Sequence, residues 1–183
     1  TRSSAASDVY KRQIKYADIM RVCYVKPKRG VTVLAGVDLD HWADEARQIW
    51  LKPPGSLTVE TGAEPALVSE TFARRFGVLE GGAVELQTPA GWKSVSPKGI
   101  FCDYGNEFGT AAVKAEVWER WTGSNRSINA SLYLNEPSEI DSIRDRLRIA
   151  YPGLDIRNER ELRDVAVGIF DQTFQATHAL SLI

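Results

Sequence analysis

The sequence predicts an α+β protein: a strand, a crossover helix and a second strand, with a mostly-β segment inserted ahead of them and a closing helix whose far end turns apolar. Three observations predict it. Ile128, Ala130, Leu132 and Leu134 alternate as in a strand, and Ile140, Ile143 and Leu147 then repeat at helical spacing. Runs around Val84 to Thr88 and Trp92 to Ser96 alternate across Pro89-Ala90-Gly91, which is hairpin chemistry. After Asp171 no formal charge follows to Ile183, as in a helix leaving water for lipid, with an ordinary buried C-terminal helix as the alternative on pattern alone.

Composition limits the rest. The chain has 183 residues, 43% hydrophobic and 26% charged, enough for one domain or two small ones. At that size folding removes about 70% of the unfolded chain's surface from water, so a sizeable core is expected. The 23 basic and 24 acidic residues leave a net charge of −1, which argues against nucleic acid as the main partner. Cys23 and Cys102 are too few for a disulfide scaffold and form no metal knuckle. A single bridge between them stays open in an oxidising compartment.

In chain order, residues 1–13 are polar and aperiodic, resemble a translated sequencing-adapter tail, and are set aside as non-native, with a genuine disordered tail as the alternative. Ile14 to Met20 reads as the last turns of a helix. Val22 to Val25 and Val31 to Val37 read as strands flanking the basic turn Lys26-Pro27-Lys28-Arg29-Gly30. Asp40 to Arg47 suits a short helix capped by Asp40, and Ile49 to Leu51 is apolar up to the breaker Pro53-Pro54-Gly55. Leu67 to Phe76 fits a helix with Leu67, Phe72 and Phe76 inward, Arg74 and Arg75 outward, and Gly77 as its left-handed stop. Gly99 to Cys102 is a short strand, Asp103 to Glu107 a loop, and Lys114 to Thr122 a helix. Ser138 to Ala150 is the crossover helix, ended by Tyr151-Pro152-Gly153, and Leu154 to Arg157 the second strand of a right-handed βαβ unit. Asn158 and Glu161 have capping-box spacing for a final helix that carries Leu162, Val165 and Ile169 on one side.

Catalytic signatures are missing. No two glycines are separated by a single residue, no Gly-Lys-Ser/Thr or Gly-x-Ser-x-Gly occurs, and His41 and His178 form no metal pair. No catalytic residue, cofactor or metal is therefore expected. Asp103, Asn106 and Glu107 are too few for a calcium loop and read as a turn. The aromatic set Trp92, Tyr104, Phe108, Trp118 and Trp121 serves either as core or as a face for a partner or cargo.

Four segments carry a family resemblance: Ala66-Leu67-Val68-Ser69-Glu70 with Phe76 to Gly82, Gly99 to Gly105, Ser138 to Arg157, and Ile169-Phe170-Asp171-Gln172-Thr173-Phe174. From about Ala66 onward the chain resembles the extracytoplasmic domain of FtsX-like, MacB-type ABC transporter permeases. It departs from the pattern at Gly82, Cys102 and Gln172, which blurs the subgroup and hence the cargo. The resemblance implies a fragment in which 14–60 is the first part of the periplasmic domain, 61–127 an inserted β-rich subdomain and 128–157 half of a porter-like βαβ subdomain. It makes 158–183 a truncated stalk helix entering the membrane, with Phe170, Asp171 and Phe174 in the stalk. It further implies a bacterial inner-membrane permease subunit that passes on the ATP-driven movement of a cytoplasmic ATP-binding subunit. A second or homologous permease copy, and a periplasmic adaptor or a lipoprotein, lipid or peptide cargo, are its implied partners. The residues alone leave two alternatives: a soluble hydrolase using carboxylates such as Asp103 and Glu107, and a soluble protein-binding adaptor.

Overall fold

In a computed structural model, residues 13–44, 48–59, 62–103, 105–164 and 167 are described. In chain order the elements are β1 (Ile14–Pro27), β2 (Thr32–Val37), α1 (Leu39–Asp44), β3 (Trp50–Lys52), β4 (Glu64–Ser69), α2 (Glu70–Phe76) and β5 (Val84–Thr88). There follow β6 (Gly91–Phe101), β7 (Thr110–Lys114), α3 (Ala115–Thr122), β8 (Asn129–Leu134), a 3-10 turn (Pro137–Glu139) and α4 (Ile140–Ala150). Residues 159–164 are again helical. The chain divides into two units, Ala17–Leu132 and Thr1–Tyr16 with Tyr133–Ile183. These boundaries fall inside β1 and β8.

Within Ala17–Leu132 the strands run in the order β2-β7-β4-β6-β5-β1 and close on themselves, because β1 pairs with both β5 and β2. The β2–β7 and β4–β6 pairs are parallel and the others in this ring antiparallel. Neighbouring residues of one strand go to different cores. Ala66 and Val68 belong to one cluster and Leu67 to the other, as do Ala111 and Val113 against Ala112. The first cluster also takes Phe72 from α2 and Val117, Trp118 and Trp121 from α3. The second takes Leu39, with Trp42 beside it. A fully buried side chain of Phe or Leu size contributes about 1.5–3 kcal/mol, and Phe72, Leu34, Leu67 and Leu86 are all of this kind.

This two-sided burial corrects the helix expected over Leu67 to Phe76. Its first three residues are the end of β4, and the helix starts after Ser69, whose Oγ accepts from Phe72 N at 3.2 Å. A strand covered on both faces has a continuous apolar run with no period of two, so the pattern does not separate it from a helix. Gly77 ends α2 in the left-handed region at φ 69°, as expected. The hairpin is also as expected, with Thr88 paired to Gly91 and Val84 to Val95.

Two further corrections concern long-range pairing. Ile14 to Met20 is strand rather than helix, since β1 lies beside β8 and Ile128 N donates to Met20 O at 3.1 Å. Leu154 to Arg157 forms no strand, and the Ile156 carbonyl instead accepts from Arg148 Nε at 2.9 Å. The cap of α1 moves as well. Asp38 Oδ1 accepts from His41 N at 3.1 Å, while Asp40 pairs with Lys114 at 2.7 Å.

In the other unit, α4 buries Ile143, and Tyr16 meets Tyr133 with ring centroids 5.8 Å apart. Gln13 accepts from Arg146 at 3.1 Å and donates to Glu139 at 3.0 Å. The Asn158–Glu161 capping box forms in both directions: Glu161 N donates to Asn158 Oδ1 at 2.8 Å, and Asn158 N to Glu161 Oε2 at 3.2 Å. Glu161 is held to α4 by Arg144 and Arg148, each at 3.1 Å. Among the described residues no helix is long and apolar enough to cross a membrane. The expected membrane-entering stretch, with Phe170, Asp171 and Phe174, lies outside them.

Candidate functional site

The aromatic set separates into core and surface. Trp118 and Trp121 stand at i and i+3 on α3, the spacing that puts both on its inner face, and each is 3% exposed. Trp118 Nε1 donates to Leu34 O at 3.2 Å, so its one polar group is satisfied inside the core. Its ring lies directly over Gly36, where an added Cβ would stand 2.5 Å from Trp118 Cβ. Trp92, on the outward face of β6 opposite Gln87, is 51% exposed. Phe108 is 38% exposed and meets Tyr24 edge-on, with ring centroids 6.0 Å apart and planes at 89°. Tyr104 lies outside the described residues.

Two surface depressions follow from this arrangement. One is a cleft of about 440 Å³ between β1 and the segment after α3, with walls that include Val22, Cys23, Pro89, Trp118 and Ile128. Tyr24 stands on its rim, 68% exposed, and carries it towards Phe108. The segment is shaped by successive hydroxyl turns: Thr122 Oγ1 donates to Trp118 O at 2.9 Å and accepts from Ser124 N at 3.3 Å. Ser124 Oγ in turn accepts from Arg126 N at 3.2 Å. Sequence reasoning missed this cleft. Exposed Tyr24 within a strand and Ile128 just before one were the available signals. The second depression, about 430 Å³, is bordered by Trp92, Trp121, Lys93, Arg120, Glu64 and Glu85. There Arg120 and Glu64 pair at 2.6 Å, and Lys28 holds Glu85 at 2.5 Å. Trp118 and Trp92 thus serve different depressions rather than one face.

The chemistry of the cleft is that of contact. Burial pushes the Cys23 thiol above its ordinary pKa, with the Trp118 indole opposing the shift in part, so the sulfur stays protonated and acts as apolar wall. Both cysteines are free thiols. The Asp103 loop is braced internally. Asp103 Oδ1 accepts from Gly105 N at 2.9 Å, and Asn106 Nδ2 donates to Thr110 Oγ1 at 3.0 Å, which agrees with the expected turn. Among the described residues no three His, Cys, Asp or Glu side chains group to hold a metal.

No family model and no curated protein matches the sequence. Solved structures do match the fold. The extracellular domain of the noncanonic ABC-type transporter YknZ from Gram-positive bacteria aligns with 80% of this chain and 82% of its own, at TM-score 0.54 and 15% identity. The periplasmic region of MacB from Actinobacillus actinomycetemcomitans aligns with 90% of this chain and 81% of its own, at TM-score 0.55 and 12% identity. The chain therefore has the α+β fold of the MacB-type extracytoplasmic domain.

Proposed function

We propose that this chain is part of the extracytoplasmic domain of an ABC transporter permease, lying on the outer side of a bacterial inner membrane. The observation that carries the reading is fold likeness over most of the chain to two such domains, neither of them an enzyme. In this reading the chain makes and breaks no bond. A separate cytoplasmic subunit hydrolyses ATP, a second permease copy completes the transporter, and the outer domain extrudes or releases a lipoprotein, lipid or peptide.

Mechanotransmission needs a stiff element joined firmly to the outer domain. The helix beginning at Asn158 suits that role, because its first turn is closed by the capping box and tied to α4 through Glu161. Phe170, Asp171 and Phe174 would continue it as a stalk towards the membrane. The test is paired glycines, Val165→Gly with Ala166→Gly, in the full-length permease. Each glycine weakens a helix interior by about 1 kcal/mol, so transport falls while ATP binding by the partner subunit persists. Unchanged transport overturns the lever. A parent gene that encodes no membrane helix beside this region overturns the permease assignment itself.

A further inference from the structure

We propose that the cleft between β1 and the segment after α3 receives an acidic, apolar-anchored peptide segment of a partner protein. Ten residues line it, and not one is a carboxylate. Its apolar floor and walls require an apolar anchor, and exposed Ile128 and Tyr24 extend that surface to the rim. Arg126 supplies a cation at the edge and, among the described residues, has no carboxylate partner. Lys26 stands two residues beyond Tyr24 on the same side of β1, with Arg29 on the following turn, and both likewise lack a carboxylate there. Two acids of this region are already engaged: Glu119 holds Arg21 at 3.0 Å and Glu85 holds Lys28.

An apolar recess with the cation Arg126 in its lining, no carboxylate there, and Lys26 further along the exposed face of β1 is complementary to a segment that alternates anionic and apolar side chains. An anionic bilayer fits less well. Surface attraction of that kind uses clusters of about 4–8 basic residues, and a flat headgroup layer does not reach a recess. Nucleic acid fits less well too, because the Tyr24 and Phe108 rings meet edge-on and offer no parallel stacking platform.

The test is a titration of the whole chain with a short fluorescent peptide alternating Glu and Leu. The comparisons are the same peptide with Lys for Glu, phosphatidylglycerol vesicles and single-stranded oligonucleotide. Saturable binding of the Glu peptide alone is expected, weakening as salt rises. Arg126→Glu should weaken it about tenfold and transfer preference to the Lys peptide. Arg126→Gln, which adds no new charge, should give an intermediate loss, and unchanged circular dichroism should show that both variants are folded. Equal binding of both peptides, binding of vesicles or oligonucleotide instead, or no saturable binding overturns the proposal. The measurement involves no transport, so its outcome is independent of the permease assignment.

Discussion

Ser69 shows how one buried side chain ties several elements together. Its Oγ accepts from Phe72 N at the start of α2 and from Thr110 N, at 2.9 Å, at the start of β7. Ser69→Ala leaves two backbone donors short of a partner in a fully buried place. The expected cost is about 2–3 kcal/mol, combining a lost cap with an unsatisfied donor, read as a lower denaturant midpoint at unchanged slope. Gly36 is a second such point. A methyl group there collides with Trp118 Cβ at 2.5 Å, so Gly36→Ala should cost about 1–3 kcal/mol by overpacking. The two nearest atoms, Trp118 Cβ and Cγ, are kept by phenylalanine, so Trp118→Phe should not relieve the alanine, and a rescue by that variant would show that ring size rather than this close approach sets the cost. Cys23 gives a test by pH. A raised thiol pKa means less thiolate than in a free cysteine at mildly alkaline pH, so alkylation of folded Cys23 should be slower than after unfolding in urea. Equal rates would show that the sulfur is not withdrawn from water. Apart from the local cap of Phe72 N, these roles were not legible in the sequence, because the Ser69–Thr110 bond spans 41 positions and Gly36 and Cys23 both meet the distant Trp118.

At the scale of elements, legibility followed the range of the interactions. The β5–β6 hairpin and the end of α2 at Gly77 were readable because turn chemistry and a left-handed residue act within a few positions. The capping box was readable for the same reason. By contrast, Ile14 to Met20 is a strand because β8 lies alongside it, and its own sequence has neither a clear period of two nor one of 3.6. Leu154 to Arg157 alternates acceptably, yet a strand needs a neighbour, and the Ile156 carbonyl is taken by Arg148. The box gives this scale its prediction. Asn158→Ala removes the acceptor of Glu161 N, while the backbone N–H of residue 158 and the two arginines still hold the Glu161 carboxylate. Helix stability should fall by about 1 kcal/mol, seen as faster hydrogen exchange at residues 159–164 with exchange in α4 little changed. Asn158→Ser, which keeps a capping oxygen, should restore most of the protection.

At the scale of the molecule, the α+β class and the likeness to an outer domain were legible from short motifs, while the closed ring of strands was not. Ring closure depends on pairs such as Val33 with Thr110 and Glu64 with Val95, and no local rule selects one distant parallel partner over another. The aromatic set was ambiguous for a related reason. Spacing placed Trp118 and Trp121 on one helix face, but only the sheet beneath α3 decides that this face is core. The same closure predicts how the chain behaves when divided. All the pairings that make the ring, α1 to α3 and both apolar clusters lie between Ala17 and Leu132, and the cut sites fall in β1 and β8 outside the stretch Arg21 to Pro27 that closes the ring. A fragment of residues 17–132 therefore keeps the contacts that hold this unit together. It should unfold in one cooperative transition and give dispersed amide resonances. Removing Lys26 and Pro27 from the β5 pairing, by Lys26→Pro, should broaden that transition, since a proline there takes away an N–H from the short ladder that closes the ring. A fragment with native-like helical content but no cooperative transition would show instead that the ring depends on the remaining unit for its packing.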